Sequence, residues 1–135
     1  VHLKFYREVM TITDAGMSIS DMAAATGLTT STLRYYEQEG LLLQSPGRAS
    51  SSHRRYPAAA ATWLQFITKL RSTGMPIRDI RRYAELARQG DHTTPQRLAL
   101  LIEHRSRVLE QLAEVQRSLD AIDFKIAAYE RFETK

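Results

Sequence analysis

The sequence predicts an all-α chain with a small β wing, organised as a compact head followed by one long helix. Three observations carry this prediction. Two short, capped helical segments lie between Ser18 and Gly40. A Ser/Pro/Gly-rich basic stretch follows. An uninterrupted heptad pattern then runs from Leu98 to Tyr129. The expected division is a tail over residues 1–17, a head over 18–90, and a linker with the long helix over 91–135.

Residues 1–16, "VHLKFYREVMTITDAG", show no clear period and read as a lead-in. In "SISDMAAATGL", Ser20 is placed to accept a bond from an orphan N–H of a short first helix, and Gly27 can take the left-handed conformation that stops it. Thr29 offers a second N-cap for a helix that should continue to about Gln38, with Gly40 as its terminator. Two short helices joined by a Gly-Leu-Thr turn form the helix-turn-helix pattern. On the second helix Leu33 and Tyr36, with Leu28 in the turn before it, supply inward positions. Thr30, Ser31, Arg34 and Tyr35 then lie on or near the other side.

"QSPGRASSSHRRYP" reads as turn residues followed by a brief polar strand, a small hairpin or wing. Strand alternation puts Arg54 and Tyr56 on one face and His53 and Arg55 on the other. A helix then starts near Pro57, buries Leu64, Ile67 and Leu70, and ends at Gly74. Pro76 opens the next, with Ile77, Ile80 and Ala84 inward, Arg78, Arg81 and Arg82 largely outward, and Gly90 closing it. Trp63, Phe66 and Met75 are most simply core or helix-contact residues.

After "DHTT", Leu98, Leu101, Arg105, Val108, Leu112, Val115, Leu119, Ile122, Ile126 and Tyr129 recur at alternating spacings of 3 and 4, and only Arg105 in that seam is polar. A helix from Pro95 to about Phe132 would be roughly 57 Å long, more than the preceding helices could cover. The expectation is therefore a homodimer through a coiled coil.

The 135-residue chain carries a formal charge of +4. Between Arg48 and Arg82, eight Lys or Arg side chains face a single Asp79, a local net of +7, so the rest of the chain is net acidic. A basic segment on an otherwise balanced protein points to a polyanionic partner. The absence of cysteine excludes disulfides, thiol chemistry and the common zinc frameworks, and the four histidines have no metal-ligand spacing. Neither a membrane-length apolar run nor a secretory leader is visible, which makes a cytoplasmic location the expectation. No phosphate-cradling loop or nucleophile constellation argues for an enzyme.

Several of these segments together resemble the MerR (mercury-resistance regulator) family of transcription regulators. They are "ISDMAAATGLTTSTLRYYEQEGLL" (19–42), Arg48, "HRRY" (53–56), "WLQFITKLRSTGMPIRDI" (63–80) and the long helix. The family's wing usually reads Gly-Tyr-Arg-x-Tyr, and here Ser52 and His53 hold the first two positions. Metal- and thiol-sensing members use cysteines, and drug-sensing members carry a large domain beyond the coil. The resemblance is thus to a short form with neither.

What the resemblance implies is a winged helix-turn-helix head, an antiparallel coiled coil and no cofactor. It also implies double-stranded promoter DNA bound at a palindromic operator that is bent and untwisted for RNA polymerase, with a small-molecule effector among the partners it allows. Thr30, Ser31, Arg34 and Tyr35 would meet the major groove. Arg48, His53, Arg54, Arg55 and Tyr56 would form the wing contact, with packing under the wing as the other role open to Tyr56. Lys69 and Arg71 would add a flanking contact. Leu98, Leu101, Val108, Leu112, Val115, Leu119, Ile122 and Ile126 would hold the dimer. Two rival readings remain open on sequence: an architectural or recombination-directing winged-helix protein, and a coiled-coil adaptor that binds protein.

Overall fold

In a computed structural model, which describes residues 16–43, 47–48 and 54–133, the chain is helical apart from a minimal two-stranded wing. The elements are α1 (Ile19–Thr26), α2 (Thr30–Gln38), β1 (Gly47–Arg48), β2 (Arg54–Arg55), α3 (Ala60–Ser72), α4 (Ile77–Gln89), a 3-10 turn (Asp91–Thr93) and α5 (Thr94–Glu133). The lead-in expected over residues 1–16 lies outside the described residues except for Gly16. The chain divides into two compact units, one ending at Leu100 and the other beginning at Leu101.

Local chemistry sets the helix limits. Ser18 adopts extended backbone angles, and its side chain accepts a bond from the Asp21 N–H at 3.1 Å, so the first cap is Ser18 and not Ser20. Ser20 already lies inside the first turn, where its own backbone is helical. Gly27, at φ 75°, closes α1 by donating its N–H to the Ala23 carbonyl. Thr29 caps α2 as expected, accepting from the Thr32 N–H at 3.0 Å. A turn from Pro57 leads into α3, which begins at Ala60, and Pro76 occupies the N-cap position of α4.

The core of the first unit is drawn from every helix in it. α1 packs against both α2 and α3, and α3 packs against α4. Met22, Leu33, Leu64, Ile67 and Ile80 are fully buried, each side chain contributing about 1.5–3 kcal/mol by leaving water. Trp63 and Phe66, expected as contact residues, flank Tyr83 at ring distances of 5.7 and 5.9 Å. The Trp63 indole N–H also donates to the Leu41 carbonyl at 2.7 Å, fixing the chain just after α2. Burial raises the pKa of the Tyr83 hydroxyl, with Arg97 opposing it.

Contacts distant in sequence alter three expectations. Met17 falls within the expected tail, yet it forms a two-bond bridge with Tyr56, at 2.6 and 2.7 Å, alongside the antiparallel β1–β2 pair. Arg81 does not point freely outward. It is half-buried, and its Nε donates to the Glu39 carbonyl at 2.8 Å while Nη2 pairs with the Glu39 carboxylate. Residues 91–93 are a 3-10 turn, not an open linker. The buried Thr93 hydroxyl reaches the Leu86 carbonyl at 2.6 Å, and Arg97 donates to Thr93 Oγ1 at 3.0 Å. These bonds tie the start of α5 to the end of α4.

Gly27 is the position where backbone conformation alone is at stake, because a Cβ added there meets nothing within 4 Å. Gly27→Ala should therefore destabilise the protein by about 1 kcal/mol through left-handed strain. Denaturant unfolding checks this, with an unchanged slope expected.

Candidate nucleic-acid interface

The site grows from the amphipathic pattern of α2. Leu33 and Tyr36 are three residues apart and share the buried face. Helical geometry then turns Ser31 and Arg34 to the outside, where both are exposed, while Thr30 and Tyr35 sit half-buried at the margin. The Tyr36 hydroxyl lies 3.1 Å from Thr68 Oγ1, and the Thr68 hydroxyl donates to the Leu64 carbonyl at 2.8 Å. Since a hydroxyl carries one proton, Tyr36 is the donor to Thr68. This pair joins α2 to α3.

One turn further along α3, the Arg71 guanidinium carbon lies 4.9 Å from the centre of the Tyr35 ring and 5.7 Å from that of Tyr36. A cation over an aromatic face at this range is attracted by the ring quadrupole, by about 0.5–1 kcal/mol where exposed. Tyr35 and Arg71, 36 positions apart in sequence, thereby form one unit beside Arg34. Lys69, also on the last turn of α3, is exposed as well.

The wing contributes backbone positions: Gly47 faces Arg55 and Arg48 faces Arg54 across the antiparallel pair. His53 lies outside the described residues. Tyr56 is only 1% exposed, so its ring belongs to the core and is not a surface contact group. Packing under the wing is the role the structure gives it.

Sequence reasoning misses Thr68, Glu39 and Arg81 as parts of the site's support. Their bonds cross between helices over separations of 32 and 42 residues, and no local pattern marks them. Among the described residues, no group of three His, Asp or Glu side chains could hold a metal ion, and no helix is long and apolar enough to cross a membrane.

On α5 the predicted seam is open. Leu98, Leu112, Val115, Leu119, Ile122 and Ile126 are exposed, with Leu112 and Val115 at 62% and 64%, while Leu101 and Val108 are half-buried.

A short helix-turn-helix beside a two-stranded hairpin, followed by two supporting helices and one long helix, is a winged helix-turn-helix of the kind built around a recognition helix. Comparison with known proteins agrees with this class. Residues 17–86 match the MerR HTH family regulatory protein model, and residues 61–124 match the MerR DNA-binding model. The chain belongs to the MerR family.

A helix-turn-helix-type transcriptional regulator of Haemophilus influenzae is 38% identical over 105 residues, 78% of this chain and 77% of that protein. Among solved structures, a MerR family transcriptional regulator from Listeria monocytogenes superposes with a TM-score of 0.80 at 31% identity, covering 85% of this chain and 86% of that one. HiNmlR, a MerR family regulator lacking the sensor domain and crystallised bound to promoter DNA, gives a TM-score of 0.74 at 36% identity. The match covers 84% and 90% of the two chains.

The Tyr36–Thr68 bond should be measurable as a coupling. Tyr36→Phe is expected to cost about 1 kcal/mol of stability. Once Tyr36→Phe is in place, adding Thr68→Val should cost little more than the loss of the Thr68 bond to Leu64. A double-mutant cycle from denaturant unfolding gives the difference.

Proposed function

We propose that this chain is a cytoplasmic, homodimeric regulator of transcription that binds double-stranded promoter DNA at a palindromic operator, reading one half-site with each head. The observation that carries the reading is the outer face of α2. Ser31 and Arg34 are exposed there, next to a Tyr35 ring already covered by Arg71. A recognition helix of this kind enters the major groove, where Arg can fork onto guanine or grip phosphate while a hydroxyl bonds the backbone. Thr30, Ser31, Arg34 and Tyr35 take these roles on α2. Arg48, Arg54 and Arg55, with His53, are the wing's contribution to the phosphates or the minor groove, and Lys69 and Arg71 flank them.

Two heads on one dimer impose two-fold symmetry on the site they read. The regulator would act by bending and untwisting the promoter so that RNA polymerase engages it. Deforming a site by tens of degrees costs about 1–6 kcal/mol, which many phosphate contacts in the bent form can offset. An effector could switch the protein only through different affinities for its two DNA-bound shapes. HiNmlR on promoter DNA supplies the parallel for a regulator of this size.

The reading requires a steep salt dependence: six to ten phosphate contacts would reduce affinity about 10³- to 10⁵-fold between 50 and 200 mM salt. Arg34→Ala should weaken operator binding by about 1–3 kcal/mol without shifting the unfolding midpoint. Sequences selected from random DNA supply the operator, and fluorescence anisotropy on it gives both numbers. A flat salt response, or unaltered affinity in the Arg34 variant, would refute the assignment of α2 to the groove.

A further inference from the structure

The chain that leads from α2 toward the wing is held by side chains distant in sequence. At the end of α2 the backbone N–H groups of Glu39, Gly40 and Leu41 donate back to the carbonyls of Tyr35, Glu37 and Tyr36, which closes the helix. The carbonyls of Glu39, Gly40, Leu41 and Leu42 have no further helical turn to bond to, and each accepts from a side chain of α3 or α4. Arg81 Nε donates to Glu39 at 2.8 Å, the Trp63 indole N–H to Leu41 at 2.7 Å, and Arg88 Nη1 to both Gly40, at 3.2 Å, and Leu42. These donors stand 22 to 48 positions away in sequence. Leu41 and Leu42 are buried, where a carbonyl left without a partner is costly, so the segment cannot shift without breaking several bonds at once.

The wing needs such a hold. Its strands are two residues each, and a hairpin that short is not stable by itself in water, so its direction is set by its two feet. One foot is Tyr56, directly after β2, fixed by its buried ring and its two-bond bridge to Met17. The other is Leu42, five residues before β1, held through its carbonyl by Arg88. Among the described residues, Arg88 bonds these two carbonyls and no carboxylate. A guanidinium suits the task, because one Nη1 carries two N–H groups, one for each carbonyl, and its charge strengthens both bonds.

We infer that Arg88, on α4, is a positioning residue for DNA binding: by holding the Gly40 and Leu42 carbonyls it sets where Arg48, Arg54 and Arg55 of the wing stand relative to α2, and it acts on operator affinity through them. The inference rests on the DNA contact proposed above and assigns part of its geometry to α4. The face that α2 presents is fixed separately, by the burial of Leu33 and Tyr36 and the Tyr36–Thr68 bond. Release of the Gly40 and Leu42 carbonyls is therefore felt at the wing and not at Arg34.

The test is a pair of mutant cycles read as operator affinity, with the full chain and the operator selected from random DNA, at a salt concentration low enough for the weakest variant to bind. Arg88→Met, which keeps the stem and removes the donors, should weaken binding about tenfold. In a chain already carrying Arg48→Ala, Arg54→Ala and Arg55→Ala, the same change should alter affinity by less than about twofold, because the groups it positions are gone. In a chain carrying Arg34→Ala it should cost the full factor of about ten again. A general loss of stability lowers affinity alike in both backgrounds and produces no such split. Equal effects in the two backgrounds overturn the inference, and so does full affinity in the Arg88→Met single variant. Wild-type protein that selects no operator removes the DNA reading itself, a result distinguishable from all of these.

Trp63 supplies a signature without DNA. It is the only tryptophan in the chain, and its indole bonds the carbonyl that lies between the two held by Arg88. Arg88→Met should shift the Trp63 emission to longer wavelength at a temperature where circular dichroism shows the head folded. An unchanged spectrum means that the segment stays in place without Arg88, and overturns the inference. Arg88→Gln is the second variant, and loss of the fold in both would make Arg88 a residue of stability alone, which overturns it as well.

Discussion

The burial of Tyr36 is the constraint on which the rest of the head depends. Its ring is 1% exposed, and its hydroxyl keeps a partner, Thr68, that is itself held to its own helix. A buried phenol without such a partner would be costly, so the ring can occupy the core in one orientation only. That orientation fixes the rotation of α2 about its axis. With Leu33 sharing the buried stripe, Arg34 can only face outward, and Tyr35 can only lie along the edge toward α3. The surface chemistry of α2 is thus set from inside the head, by a bond no ligand touches. Burial of Tyr36 also places its ring 6.3 Å from that of Tyr35, so both rings lie under the Arg71 guanidinium.

Much of this is legible without any coordinates, and the part that is not has a common cause. The turn around Gly27, the cap at Thr29, the stop at Gly74 and the start at Pro76 are local events, decided by one residue's backbone preference or one side chain's reach. The heptad seam is local too, since it repeats on a single helix. The first cap differs from expectation by two residues because Ser18 and Ser20 are chemically the same and only the backbone direction at Ser18 separates them. The Met17–Tyr56 bridge, the Arg81–Glu39 clasp and the Arg71–Tyr35 stack join residues 36 to 42 positions apart. No period in the sequence encodes such pairs, because they depend on how finished helices pack. The same limit leaves two roles open to Tyr56 on sequence, and its burial decides between them.

The long helix follows a different logic. A 40-residue helix spans about 60 Å, and one such helix alone in water cannot bury an apolar stripe that runs its length. Most of its apolar seam residues stay exposed, Leu101 and Val108 being half-buried, while other positions carry the helix's own ion pairs. Such ion pairs contribute little to stability on an exposed helix, about 0.3–0.5 kcal/mol each. The head thus buries its apolar side chains among its own helices, while most of the apolar stripe of α5 stays open.

Charge counting needs the same structural correction. The segment from Arg48 to Arg82 carries eight cations, but they are not equally available to a polyanion. Arg81 uses its donors on Glu39, and Arg78 and Arg82 lie 3.9 Å from Asp79 and Glu85. Those three sit on α4 and are partly neutralised by nearby acids. Arg71 is engaged in another way: an aromatic ring holds the guanidinium by its flat face, and the N–H groups around the edge remain able to donate. A cation held like that is oriented without being neutralised, so less side-chain entropy is lost when it meets a phosphate. On the helices of the head, Arg34, Lys69 and Arg71 are therefore the more available cations, all exposed, rather than the three arginines of α4 held near acids. That uneven distribution, and not the net charge of the chain, is what the proposed DNA contact draws on.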